Sequence, residues 1–356
     1  MRSVAPVRGL CPLFSRRQAT WGVSTTDFQA SEGLRSCADI RVAKCAARNV
    51  SAPQPFGQRT YRELMKSGNT AGSMPAISVV EVRRHPSLVD FMLCARDLYR
   101  SDPVAFSTES GVLAELAAAP RPALFLTAHA GDTLVAAALR PLAYPLLTSG
   151  ISIEAVPAVA NYLHREKITV PAILGLQPSA DVFADRWMSL SGATPAARAD
   201  ETVYQLQALA PPDPVDGEPR RAGASDVALL CDWLTAFRAE VFGSPDNSAP
   251  SAALYAQIVG AIGQFVLWQV DGFPVSCARV LPAAQGVARI GPVFTPCDQR
   301  GRGWASAVTA AAIDRARRDG AADIVLQTDV NNRTSNALYR RLGFAAIAAC
   351  VQQSFT

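Results

Sequence analysis

Between Ala210 and Arg221 the chain reads "APPDPVDGEPRR", with four prolines in twelve residues. Proline fixes φ and removes a backbone donor, so neither a helix nor an inner strand runs comfortably through such a stretch. It therefore divides the chain, and residues 212–222 read as a linker. The same series of elements stands on either side of it. Before it come helices over "SLVDFMLCARDLYRSD" and "GVLAELAAA". Strands "PALFLTA", "DTLVAAALR" and "YPLLTS", a helix "EAVPAVANYLHREK", a strand "VPAILGL", a helix "SADVFADRWMSLSG" and a strand "TVYQLQAL" complete that side. After it come helices "DVALLCDWLTAFRAEVF" and "SAALYAQIVGAI", then strands "QFVLWQV", "FPVSCARVL" and "VARIGPVFT". A helix following "QRGRG", a strand "DIVLQTD", a helix "TSNALYRRLG" and a terminal strand close the series. Leu88, Phe91, Met92 and Ala95 share one face of the first helix, and Val227, Leu230, Leu234 and Phe237 one face of its counterpart, with Ser225 placed as an N-cap. Gly131–Asp132 and Asp271–Gly272 are hairpin turn signals. The repeated order predicts an α/β chain of two tandem halves, residues 76–211 and 223–356, descended from a duplication.

Composition narrows the partners. Lys and Arg together number 34, yet only Lys44, Lys66 and Lys167 are lysines, which with the abundant alanine points to a GC-rich genome rather than an RNA-binding surface. Residues 1–74 carry a net charge of +7 and the rest −3, so the body lacks the basic field of a nucleic-acid binder, and one "RGRG" does not supply it. The eight cysteines include no C-x-x-C pair, and with three histidines no zinc-type cluster forms, so no metal is expected. Reduced, buried thiols and a cytoplasmic location are the expectation. The most apolar run, "TLVAAALRPLAYPLL", is broken by Arg140 and two prolines, so no membrane span is expected. Residues 1–75 read as a poorly ordered basic tail, or as an extension upstream of a start at Met65 or Met74, in preference to a transit peptide.

The glycine-rich turn carries the chemistry. The helix after "QRGRG" has Ala305, Val308, Ala312 and Ala316 on one stripe, Arg315, Arg317 and Arg318 in its last turn, and Gly320 as a C-terminal cap. Its N-terminus falls at Gly303–Trp304, where the first amides have no intrahelical partner and the dipole is positive. Gly301 and Gly303 let a phosphate approach the backbone, so strand, turn and helix N-terminus form a pyrophosphate seat. A dinucleotide fingerprint would need a glycine where Ser306 stands, and a Walker loop would need a lysine.

The loop resembles the R/Q-x-x-G-x-G/A signature of the GNAT N-acetyltransferase superfamily, with Arg300, Gly303 and Ala305 at the fixed places. Two neighbours join it. Upstream, "ARIGPVFTP" places Gly291–Pro292 inside a strand, where a bulge or a parting of strands is expected. Downstream, "NNRTSNALYRRLGF" resembles the family's second signature through Asn332, Ser335, Asn336, Tyr339, Gly343 and Phe344. The resemblance covers residues 223–356. It implies a mixed, mostly antiparallel sheet flanked by helices, splayed where the pantetheine arm of acetyl-CoA enters, with the backbone of Val293, Phe294 and Thr295 meeting that arm. Arg300, Gly301, Arg302, Gly303, Trp304 and Ala305 would hold the diphosphate, with Asn332 and Asn336 beside the cofactor or serving as caps. The first half has no such loop, and Glu154 at its equivalent helix start would repel a phosphate, so one active site per chain is expected.

The implied reaction is acetyl transfer from acetyl-CoA to an amine, of a small molecule or a peptide. The alternative is a non-catalytic acyl-CoA-binding or regulatory protein. An alkyl amine is mostly protonated at neutral pH, so a base is needed, and the leaving thiolate benefits from an acid. Tyr339 matches the family's usual acid. No histidine follows His164, so Glu240, with Asp246 behind it in the acceptor-side loop "GSPDNSAP", is the candidate base. Cys277 and Cys297 are expected to be buried thiols rather than nucleophiles. Whether the chain works as a monomer or a homodimer is left open by the tandem halves.

Overall fold

The computed structural model describes residues 80–142, 144–242 and 251–356; the basic tail, the loop 243–250 and Asp246 lie outside them. The first half runs β1 (Val80–Arg84), α1 (Leu88–Ser101), α2 (Ser107–Ala118), β2 (Ala123–Ala130), β3 (Thr133–Pro141), β4 (Leu146–Leu147), α3 (Val156–Arg165), β5 (Ala172–Leu176), α4 (Ser179–Ser191) and β6 (Pro195–Leu206). The second half repeats this order as β7 (Glu218–Arg221), α5 (Val227–Phe242), α6 (Ala252–Ala261), β8 (Phe265–Val270), β9 (Phe273–Ala284), β10 (Val287–Phe294), α7 (Trp304–Arg318), β11 (Asp323–Asp329), α8 (Arg333–Arg341) and β12 (Phe344–Phe355). The structure adds β1 and β7 to the series read from sequence. Both are short, charged strands that close the two edges of the sheet, where polar side chains and proline are tolerated and discourage edge-to-edge pairing.

All strands join one sheet in the order β1-β2-β3-β4-β5-β12-β6-β11-β10-β9-β8-β7. Pairing is antiparallel except for β4 with β5 and β10 with β11. The last strands of the halves are exchanged: β6 pairs with β11, and β12 pairs with β5. The two long strands also pair with each other from Phe344↔Leu206 to Phe355↔Pro195, forming the centre of the sheet.

Helices cover both faces. On one face, Phe91, Ala95 and Tyr99 of α1 and Val112 and Leu116 of α2 pack on Phe125, Leu139 and Leu147. On that face of the second half, Leu230 and Leu234 of α5 and Leu254 and Ile258 of α6 meet Phe265, Leu267 and Phe294. The other face carries α3 and α4 in the first half, and α7 and α8 in the second, where Val308, Ala312, Ile313 and Leu338 pack against Ala288, Ile290 and Leu326. The apolar stripes read from the sequence thus become these contact faces. Asp271 (φ 50°) and Gly272 (φ 82°) take the left-handed conformations that a two-residue hairpin of matching twist requires.

Two expectations are corrected. Ser225 does not cap α5. The chain enters that helix through a 3₁₀ turn at Ala224–Asp226, where Asp226 accepts the Gly223 amide (2.8 Å) and two bonds from Arg220 (2.7 and 2.7 Å). The stretch 212–222 is not a free linker. Its last part is β7, the Asp216 carbonyl accepts Trp268 Nε1–H (2.9 Å), and Pro212 and Val215 line a cleft with Ala307 and Ala311 of α7. Prolines without amide donors can still pack, and here they lie along a helix of small side chains.

Candidate functional site

β10 and β11 run parallel through Val287↔Asp323, Ala288↔Ile324 and Arg289↔Val325, and there the pairing ends. On the other side of β10 the register with β9 shifts between Ile290 and Val293, across Gly291–Pro292. Pro292 offers no ladder donor, so β10 parts from β11 at its C-terminal end and leaves a gap bordered by Val293 and Phe294 on one side and Leu326–Asp329 on the other. This is the bulge and parting anticipated at Gly291–Pro292. The corresponding strands of the first half stay together: Leu147 pairs with Leu174, and the Thr148 amide donates to the Leu174 carbonyl (2.9 Å).

The loop beyond β10 turns through Cys297–Gln299, and Gly301 (φ 79°) and Gly303 (φ 83°) are left-handed. Gly303 is the N-cap of α7, and its carbonyl accepts the amides of Ser306 (3.0 Å) and Ala307 (3.1 Å). The amides of Gly303, Trp304 and Ala305 have no acceptor among the described residues, so they stand at the positive end of a 15-residue helix. A Cβ on Gly303 would lie 2.8 Å from Val215 Cγ1, so that position requires glycine for both conformation and space. At the far end, the Ala321 amide reaches the Ala316 carbonyl and the Gly320 amide reaches that of Arg317, a Schellman closure with Gly320 one residue past the cap.

The two loop arginines differ. Arg300, itself exposed, is held by partners: its Nε donates to the Thr295 carbonyl (2.9 Å), its Nη2 meets Glu240 Oε1 (2.8 Å) and Oε2 (2.7 Å), and its guanidinium lies over Phe294. Arg302 stacks on the buried Trp304, makes no ion pair among the described residues and is exposed to solvent. Trp304 is thus an anchor under the turn. Thr295 is buried, with its hydroxyl 2.8 Å from Ser276 Oγ.

In α8, Asn332 caps the helix by accepting the Ser335 amide (3.0 Å). Asn336 is used up internally: its NH₂ donates to the carbonyls of Asp329 (2.9 Å) and Asn332 (2.8 Å), and its oxygen accepts Tyr204 O–H (2.7 Å). Those bonds fix the approach of α8 to β11 and leave the amide nothing to offer a ligand. Tyr339 packs between Tyr204 and Phe344 in the cluster that includes Ile290 and Leu326, bordering the gap. Burial pushes its phenol up to about 12, and its hydroxyl has no hydrogen bond among the described residues.

The face opposite α7 and α8 holds polar groups that the sequence reading missed. Arg289 donates from Nη1 to Ser107 Oγ (2.9 Å) and from Nη2 to Gln327 Oε1 (2.7 Å), tying α2 of the first half to β11 of the second. Gln285 Nε2 donates to Ser110 Oγ (3.0 Å) across the same junction. Glu109 is 1% exposed, and neither carboxylate oxygen has a partner of normal hydrogen-bond geometry among the described residues. Burial pushes its carboxyl up, while the nearby Ser149 hydroxyl and amide and Arg289 pull it down. Glu201, on β6, is half-buried; desolvation pushes its carboxyl up, Arg289 opposes this, and Asp329 adds to it. A charged residue inside the apolar strand "VARIGPVF" and an acid inside "STESGVLAELAA" were the available signals.

Glu109 supports a prediction about pH. Its folded-state carboxyl favours the protonated form, so the stability it contributes is present below the ordinary glutamate range and falls as pH rises through the elevated folded value. Glu109→Gln, which is neutral throughout, is expected to match wild type in melting temperature near pH 4 and to exceed it at pH 7. Calorimetric melting at the two pH values checks this, and an equal difference at both would contradict it.

Among the described residues no group of three or more metal-ligating side chains forms, and no helix is long and apolar enough to cross a membrane. Cys277 is buried and its thiol is pushed up to about 12 by desolvation, as suits an inert thiol. Cys297, expected to be buried, is exposed, because it lies in the turn after β10.

Residues 228–344 match the acetyltransferase (GNAT) family. No curated protein matches the chain. Among solved structures the chain is similar to a GCN5-related N-acetyltransferase from Sphaerobacter thermophilus, at 19% identity over 77% of this chain and 94% of that one, with a TM-score of 0.50. It is also similar to a Drosophila protein, at 15% identity over 77% of this chain and 98% of that one, with a TM-score of 0.56. These likenesses give the fold across both halves, and chemistry is argued from the site.

Proposed function

We propose, from the premise that residues 228–344 form a GNAT-family acetyltransferase domain, that the chain transfers the acetyl group of acetyl-CoA to an amine. The observation that carries this reading is the pairing of two features in the second half alone: free amides at the N-terminus of α7, and an open gap between β10 and β11 next to them. Bound there, acetyl-CoA would supply an activated thioester. The residues fit it. The backbone of Gly301, Gly303, Trp304 and Ala305 would meet the diphosphate, and Arg302 is a loop cation with no ion pair among the described residues. Val293, Phe294 and Thr295 form the β10 lip of the gap. Arg300 braces the turn through Thr295 and Glu240, and Asn332 and Asn336 hold α8 in place.

Tyr339 keeps its proton through the neutral range, as a donor to a leaving thiolate must, and its hydroxyl has no hydrogen-bond partner among the described residues. Tyr339→Phe is therefore expected to lower kcat about 100-fold while acetyl-CoA affinity stays unchanged. Steady-state thiol release and calorimetry measure the two, and equal kcat would make Tyr339 a packing residue.

The experiment that tests the function is calorimetry with acetyl-CoA, followed by thiol release with spermidine, lysine, glucosamine and an alanine-initiated peptide as acceptors. No binding removes the reading. Binding without turnover favours the second one, a non-catalytic acyl-CoA-binding or regulatory protein. One observation supports that alternative: both oxygens of Glu240, the base offered by the sequence, rest on Arg300.

A further inference from the structure

With both Glu240 oxygens engaged by Arg300, the base offered first by the sequence is not free to take the proton of the amine. The strand exchange supplies one. Along β11, Val325, Gln327 and Asp329 share one face of the sheet, and the antiparallel register sets Gln205, Val203 and Glu201 of β6 directly beside them. This is the face of Arg289, opposite α7 and α8, because Arg289 pairs with Val325. With its diphosphate at the α7 N-terminus and its arm passing through the gap, acetyl-CoA would present its thioester on that face. Gln327 and Asp329 border the gap, and Glu201 stands opposite Asp329, one strand spacing of ~4.8 Å farther in.

The Glu201 carboxylate makes no hydrogen bond and no ion pair among the described residues. It is not sealed away either, since neither of its oxygens is among the fully enclosed unpaired atoms. Arg289, the nearest cation, spends both Nη groups on Ser107 and Gln327. Glu201 is therefore a half-buried, uncommitted acid level with the gap, which structural ion pairs do not explain.

We propose that Glu201, carried by β6 from the first half into the sheet of the second, receives the proton of the acceptor amine. The inference rests on the acetyl-transfer reading and deepens it: the acceptor is an alkyl amine that arrives as an ammonium ion, drawn to Glu201 and Asp329. Glu201 removes one proton from the ammonium and passes it to solvent. The neutral nitrogen then forms the C–N bond as the C–S bond breaks, and its second proton leaves as the sulfur gains one from Tyr339, which is reprotonated in turn. The products are amide, thiol and one released proton. The groups facing Glu201 are Asp329 on β11, Cys350 on β12, Arg289 on β10 and Glu109 on α2.

Glu201→Gln in the full chain tests this. Acetyl-CoA affinity by calorimetry is expected to stay within about twofold of wild type. With whichever of the four amines wild type acetylates fastest, kcat/KM is expected to fall about 100-fold and to lose the acidic limb of its pH profile. In ligand-free wild type, the carboxyl carbon resonance absent from the variant is expected to titrate above the ordinary glutamate range. An unchanged kcat/KM and acidic limb, or an ordinary titration, overturns the inference and leaves acetyl transfer standing. Failure of wild type to bind acetyl-CoA, or to turn over any amine, removes the parent reading and this inference together.

Discussion

Gly303→Glu is expected to lower acetyl-CoA affinity at least about 100-fold while the protein stays folded. Three effects act together. A non-glycine residue at φ 83° costs about 1–2 kcal/mol, so the turn tends to leave the conformation that aims its amides outward. The new Cβ would stand 2.8 Å from Val215 Cγ1, so the segment 212–216 must shift or the turn must. The carboxylate then sits where a diphosphate would, and each charge-assisted bond lost is worth about 1.5–3 kcal/mol. Two such bonds alone amount to about 3–6 kcal/mol, or roughly two to four powers of ten in affinity. Gly301→Ala is the control: φ is 79°, but the Cβ meets open space, so only strain remains and a loss of about tenfold is expected. Calorimetry of the three proteins decides. Equal affinities would mean that the α7 N-terminus does not hold the diphosphate.

Arg289→Met is expected to cost about 2–4 kcal/mol of folding stability at pH 7. Burying a guanidinium is itself unfavourable, and replacing an entire buried ionic group with apolar side chains is often neutral. Only one member is replaced here. Ser107 Oγ and Gln327 Oε1 lose their donor, and Glu109 and Glu201 lose the cation that opposes the effect of burial on each. The loss should shrink at pH 5, where the two raised carboxyls take up protons more readily. Adding Glu109→Gln should recover part of it, as expected for neighbours that share a partner. Urea unfolding at the two pH values gives the numbers, and equal stability at pH 7 would make the junction between α2 and β11 energetically idle.

Much of this molecule was legible in its sequence. Helix stripes such as Val308, Ala312 and Ala316 become core contacts because burial selects the 3.6-residue period directly. The glycine turn was readable because left-handed positions and close phosphate approach demand glycine. Three things were not. The edge strand β1 went unassigned and β7 fell within the predicted linker, because each pairs on one side only and has little apolar face to show. The leading part of β6, "PAARADE", carries Arg198, Asp200 and Glu201 among alanines, so the strand announced itself only from Thr202 onward and its acid went unnoticed. The exchange of β6 and β12 was invisible for a different reason. Repeats of the same pattern offer equivalent edges, and local periodicity does not say which copy a strand joins.

That exchange also decides what can be lost. Each half completes its sheet with a strand drawn from the other, so severing the chain at the proline-rich crossing would strip β5 and β11 of a neighbour and leave raw edges in the middle of the molecule. The first half, in which Leu147 of β4 still pairs with Leu174 of β5, therefore serves as scaffolding for the second whatever chemistry it carries. Interlocking of this kind works as a ratchet: once two halves are braided, neither can be discarded without unpairing the other.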